Sequence, residues 1–183
     1  TVQSDVMSYA WDGIKSFEQD GKIHSFRTLG GLYEEAVQIV TMDKNIKTVA
    51  DLKGKTVSIG APGSGVYFNA VDVLGAYGLT EQDIRAEYLS FGESTDAMKD
   101  GKIDAAFIVS GAPTNAITEL ATTNGVYLVN IEEDKADALI EICPYYNKHI
   151  IPGGTYKGLD EDTHTLSIKA TMIVSAKSAE EDV

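Results

Sequence analysis

Gly60-Ala61-Pro62-Gly63-Ser64-Gly65 lies between an apolar run, Thr56 to Ile59, and a stretch with helical spacing, Tyr67 to Tyr77. Three glycines permit the tight turns that bring successive backbone N–H groups to one point. At a helix start those groups lack partners inside the helix, and the helix dipole adds positive potential behind them. Ser64, Gly65 and Val66 therefore form a nest that can hold a carboxylate or phosphate oxygen. The Ser64 hydroxyl is a further donor, and Tyr67 can line the opening. The Gly-Lys-Ser/Thr ending of a phosphate-binding loop is missing, and the glycine spacing is not that of the dinucleotide fingerprint. A plain structural turn uses the same residues, so the motif alone leaves both readings open.

A second group, Ser110-Gly111-Ala112-Pro113-Thr114-Asn115, also follows an apolar run, Ile103 to Val109. Pro113 suits the first turn of a helix, and Thr114 offers a side-chain hydrogen bond there. In open α/β sheets, ligands sit in the crevice beyond the carboxyl ends of strands, so Ala112, Pro113 and Thr114 can face the same cleft as Ser64. Ordinary capping is the alternative for Thr114. Ser90-Phe91 also follows a short strand; Phe91 can wall the cleft or fill the core. Tyr145, Tyr146 and Tyr156 suit a wet pocket rim or a packed surface.

Catalytic and metal-binding chemistry find little support. His24, His149 and His164 lack metal-ligand spacing. Cys143, the only cysteine, reads as a small buried hydrophobe with no partner to make it a nucleophile. Gly63-Ser64-Gly65 is not a nucleophile elbow, and Glu132, Glu133 and Asp134 form a solvated acidic run. No catalytic residue, metal ligand or cofactor is assigned. Of the two arginines, Arg27 is the better candidate to meet a ligand carboxylate.

The elements that must position these groups alternate. The spacing predicts a helix over residues 7–21, a strand over 36–42, and a short helix capped by Thr48 and stopped at Gly54. It continues with a strand over 56–59, a helix over 67–77 closed at Gly78, and an imperfect capping box from Thr80 to Asp83. A strand over 86–89, a helix capped by Ser94 or Thr95, a strand over 103–109, a helix from 113, a strand over 126–131 and a helix over 135–142 follow. Residues 163–175 read as one or two further strands. This alternation predicts an open α/β sheet covered on both faces. Residues 45–160 make one nearly complete lobe; 1–44 and 161–183 belong to part of a second, with two hinge crossings between them. Both ends look cut, and residues 178–183 read as the start of a helix.

The 183 residues carry 15 basic and 28 acidic side chains, a formal net charge of -13. Such a surface disfavours nucleic acid and anionic membranes. No run of 18 apolar residues is present, and the chain begins without a charged-then-apolar leader.

The ordered set of segments resembles the TAXI solute receptors of tripartite ATP-independent periplasmic (TRAP) transporters. KTVADLKGKTVSIGAPGSGVYFNAVDVLGAYGLTEQDI carries the resemblance, with EYLSFGESTDAMKDGKIDAAFIVSGAPTNAITELA, HIIPGGTYKGLDEDTHTLSIKATMIV and QSDVMSYAWDG. The resemblance implies the type II periplasmic-binding fold and a receptor without enzymatic activity. It further implies a periplasmic or extracytoplasmic location, with a lipid anchor open for the full-length protein. The expected partners are a small carboxylate ligand, glutamate-like or an organic acid, and an ion-coupled membrane permease of the TRAP type. By this resemblance Gln3 and Asp5 match the first-lobe segment that approaches the ligand. Ser64, Gly65 and Val66, Ser90 and Phe91, and Ala112, Pro113 and Thr114 match the ligand-facing turns of the second lobe. The family's Gly-Gly-Thr-rich opening is absent, which would leave a sheet edge unpaired and make a dimer as reasonable as a monomer. Rival readings are a sensor domain of a signalling protein, betrayed by flanking membrane and effector segments, an enzyme on the same fold, which needs a positioned acid or base, and a structural surface protein, which binds no ligand.

Overall fold

A computed structural model describes residues 1–177, and the expected helix start at 178–183 lies outside them. Eight strands form one sheet: β1 (Val2–Gln3), β2 (Phe26–Thr41), β3 (Thr56–Ser58), β4 (Arg85–Glu87), β5 (Ala105–Ser110), β6 (Tyr127–Leu128), β7 (Tyr146–Ile151) and β8 (Thr163–Ser175). Five α-helices accompany them: α1 (Ser4–Asp12), α2 (Gly65–Ala76), α3 (Phe91–Lys99), α4 (Asn115–Thr123) and α5 (Glu133–Ile142). The sheet order is β1-β8-β2-β5-β3-β4, with β6 added to β2 and β7 to β8. β4 and β5 both run parallel to β3, while β2 is antiparallel to β5 and β8.

The apolar runs are long because both faces of the sheet are covered. In β5, Ala105, Phe107 and Val109 enter a core containing Phe68, Val73 and Leu74 of α2 and Leu139 of α5. The intervening Ala106 and Ile108 enter a core with Met98 of α3 and Ile117 and Leu120 of α4. A period of two therefore buries every residue from Ala105 to Val109. The expectation of an α/β sheet with helices on both faces agrees with this arrangement.

Local chemistry sets many boundaries. Gly13 closes α1 in the left-handed conformation, eight residues before the expected end at Gly21; a single 3-10 turn at Lys15–Phe17 follows. Thr48 with Asp51, and Thr80 with Asp83, form complete capping boxes on 3-10 turns. The cap of α3 is Ser90, paired with Glu93, whereas Ser94 and Thr95 are buried within the helix. Ser94 Oγ instead donates to Ser58 Oγ at 2.8 Å, tying α3 to β3. Pro113 precedes the N-cap Thr114 rather than entering the first turn of α4.

β2, β6 and β7 differ from expectation. β2 is 16 residues long, since residues 26–35 pair with β8 through two register shifts around Gly30 and Gly31. Those bulges and glycines hide the strand's alternation in the sequence. β8 is one continuous strand, and β7 pairs with it despite lacking an alternating pattern. The expected strand over 126–131 contains only the two ladder residues of β6.

Candidate functional site

β3, β4 and β5 are parallel neighbours, so the chain leaves all three at the same edge of the sheet. From that edge it enters α2, α3 and α4, so the three helix starts follow the same edge of the sheet. Gly60 and Gly63 both adopt positive φ, which explains why the turn before α2 needs glycine there. Ser64 caps α2, its Oγ accepting from the Tyr67 N–H at 3.2 Å. The next two N–H groups, of Gly65 and Val66, lie in the first turn and have no partner among the described residues.

Those groups border a cleft of ≈ 360 Å³ that also contains Gln3, Glu35, Gly63 and Val109. Gln3 Nε2 donates to Glu35 Oε2 at 2.9 Å, while Gln3 Oε1 is buried and unpartnered. A β-carbon on Gly65 would overlap this carboxamide oxygen, so glycine at 65 is what leaves room for the Gln3 side chain here. The structure thus brings Gln3, Gly65 and Val66 together with Glu35, which the sequence reading did not single out.

Other candidates are placed differently. Tyr67 lies on α2 with its hydroxyl donating to Glu81 at 2.8 Å, which holds its phenol up at about 12. Ser90 is engaged by Glu93, and Phe91 packs against the core beneath α3 and α4. Ala112 and Pro113 are exposed in the β5–α4 connection. The Thr114 N–H donates to Tyr156 Oη at 3.0 Å, and Tyr156 donates to Gln38 Oε1. Ser64 borders the cleft only through its neighbours Gly63 and Gly65.

Asp5 is fully buried behind the cleft. Its Oδ2 accepts from Asn69 Nδ2 at 3.0 Å, and that nitrogen also donates to Tyr146 Oη at 2.8 Å. Tyr146 and Tyr9 donate to Asp72 Oδ2 at 3.1 and 2.9 Å, and Lys15 forms an ion pair with Asp72. Burial pushes the Asp5 carboxyl up to about 6, opposed by the Val6 N–H and reinforced by the Asp72 charge. Asp5 Oδ1, Ser4 Oγ and Asn69 Oδ1 are buried without partners. The Cys143 thiol, raised by burial, lies 3.4 Å from Tyr9 Oη and packs in the core. This network ties α1 to α2 and β7, fixing the wall on which Gln3 stands. Asn69, Asp72 and Tyr9 were not legible as a group because their partners lie 63 to 77 residues away.

The three tyrosines expected together separate: Tyr146 is buried in the network, Tyr156 joins the Gln38 bond, and Tyr145 lines another cavity. That cavity, of ≈ 400 Å³, includes Arg27, Trp11 and Phe26. Arg27 Nη1 donates to the His24 and Phe26 carbonyls at 3.3 and 3.0 Å. A third cavity of ≈ 670 Å³ includes His149 and His164, which β7–β8 pairing brings close. Among the described residues, no group of three or more His, Cys, Asp or Glu side chains is placed to hold a metal. No described helix is long and apolar enough to cross a membrane.

Comparison with solved structures shows the type II periplasmic-binding-protein-like α/β fold, with a partial two-lobe architecture. The alkanesulfonate-binding protein SsuA from Xanthomonas axonopodis pv. citri, solved bound to MOPS, matches with a TM-score of 0.50 and 21% identity over 86% of this chain and 43% of that one. A putative sulfonate ABC transporter protein, the periplasmic sulfonate-binding SsuA from Methylobacillus flagellatus KT, matches with a TM-score of 0.51 and 13% identity over 86% and 38%. A protein from Bordetella bronchiseptica RB50 matches with a TM-score of 0.52 and 15% identity over 85% and 42%. The chain spans less than half the length of each. The family model that matches is the NMT1-like family, over residues 1–183. This finding overturns the resemblance to TAXI receptors and, with it, the assignment of a TRAP permease as partner. Across its whole length the chain belongs to the NMT1-like family.

Proposed function

We propose that this chain is the ligand-gripping part of an extracytoplasmic solute-binding receptor that captures a small carboxylate-bearing molecule and delivers it to the membrane permease of an ABC-type system. The observation carrying this reading is the pair of unpartnered N–H groups at Gly65 and Val66, which open onto the cleft beside Gln3. A carboxylate accepting from them replaces the partners that a helix start lacks, and each charge-assisted bond contributes roughly 1.5–3 kcal/mol. The Ser64 hydroxyl, whose oxygen already accepts from Tyr67, retains its own proton for the ligand. Thr114 and the peptide groups near Ala112 supply a second polar contact from the neighbouring helix start.

In this reading, residues 45–160 act as one lobe, and 1–44 with 161–183 as part of another. Ligand binding shifts the population toward the closed arrangement that a permease recognises. A sulfonate satisfies the same donors, and two solved relatives are named for sulfonate binding, so both oxyanion classes belong in the test.

Native mass spectrometry of the full-length protein, purified without refolding, tests the proposal. A stoichiometric small oxyanion that dissociates more readily from Ser64→Ala supports it. An empty protein with no thermal shift across carboxylates and sulfonates overturns it, and an unchanged dissociation constant in Ser64→Ala removes Ser64 from the site.

A further inference from the structure

We infer that the cleft selects a zwitterion, with its oxyanion at the start of α2 and an ammonium or other cationic nitrogen at Glu35. The inference rests on the reading that Gly65 and Val66 receive the oxyanion. Its independent support is Glu35, which lines the same cleft. Gln3 Nε2 occupies Glu35 Oε2, and this leaves Glu35 Oε1 as an acceptor beside the same cleft, while the buried Gln3 Oε1 packs against Gly65. No lysine, arginine or histidine forms an ion pair with Glu35 among the described residues. A carboxylate with a free oxygen in a cleft calls for a hydrogen-bond donor with positive charge.

The two ends therefore differ in chemistry: N–H donors on α2, and the carboxylate of Glu35. A molecule with two anionic ends would set its second anion against Glu35, and like charges at close range repel. A molecule with an ammonium a few bonds from its oxyanion satisfies both ends. The cleft, ≈ 360 Å³, is of a size that suits a small molecule. α-Amino acids and aminoalkanesulfonates share this chemistry, while simple organic acids and alkanesulfonates lack the cation.

Isothermal titration of the full-length protein with matched pairs decides the matter: L-glutamate against glutarate, L-alanine against propionate, and taurine against ethanesulfonate. The expected result is that at least one amino member binds tenfold or more tightly than its partner, and that Glu35→Gln collapses the ratio by weakening the amino member. Whether the carboxylate or sulfonate pair responds identifies the source of the oxyanion. Equal or tighter binding of the desamino members by the wild type overturns the zwitterion inference and leaves the oxyanion site standing, regardless of how the variant folds. Binding of no member of any pair overturns both.

Discussion

The carboxamide oxygen of Gln3 lies where the side chain of any residue other than glycine would begin at position 65. Gln3 ends β1 and Gly65 opens α2, so the carboxamide packs directly on the helix start. The same carboxamide holds Glu35 through its nitrogen. Position 65 therefore controls three parts of the cleft: the backbone donors, the amide and the carboxylate.

Gly65→Ala tests that control. Alanine suits the first turn of a helix, and exchanging glycine for it inside a helix stabilises by up to ~1 kcal/mol. Gln3 must then move, since its flexible end occupies the space. Stability in urea is expected to change by no more than about 1 kcal/mol in either direction, while affinity for the oxyanion ligand falls about tenfold, or ~1.4 kcal/mol. Titration calorimetry beside urea melts separates the two effects, and unchanged affinity would show that the Gln3 contact does not shape the site.

Asp5 gives the fold a pH dependence opposite in sign to that of a paired surface carboxylate. Its folded pKa is raised to about 6, so the folded state holds a proton that the unfolded state releases near pH 4. Stability from this group is present below about pH 4 and declines as pH rises through about 6. At 1.36 kcal/mol per unit the full loss is of order 3 kcal/mol. Asp5→Asn retains an acceptor for Asn69 and cannot ionise, so its stability relative to the wild type is expected to grow between pH 4 and 7. Parallel stability curves for the two proteins across that range would rule out Asp5 as the titrating group.

Ser90 and Glu93 cap α3 reciprocally, the Glu93 carboxylate accepting from both the Ser90 N–H and hydroxyl at 2.9 and 2.6 Å. Those bonds lower the Glu93 carboxyl below its ordinary range. Ser90→Ala removes the cap and is expected to cost about 1 kcal/mol, read as a lower urea midpoint with an unchanged slope. Hydrogen exchange should rise first at the N–H groups of the first turn of α3. No loss of stability would mean that α3 does not depend on this cap.

Much of the frame was legible because its causes are local. The apolar run at Ala105–Val109 announced a strand buried on both faces, and Thr48-Asp51 and Thr80-Asp83 announced helical turns. The Ser90-Glu93 box was equally available in the sequence, but Ser94 and Thr95 competed for the same role. Their burial, which no spacing reveals, decides between them.

The sequence by itself determined the alternation of strands and helices from β3 to α5, the glycine turn with its free N–H groups, and the absence of a cysteine pair, since each depends on residues adjacent along the chain. Only the tertiary structure decided that Glu35, 30 residues before Gly65, shares its cleft, and that Asp5, Asn69, Tyr146 and Asp72 form one buried network. Those placements follow from the pairing of β1 and β2 with β8. Strand pairing across more than a hundred residues is set by burial of apolar surface on both faces of the whole sheet, a collective quantity that no local pattern contains.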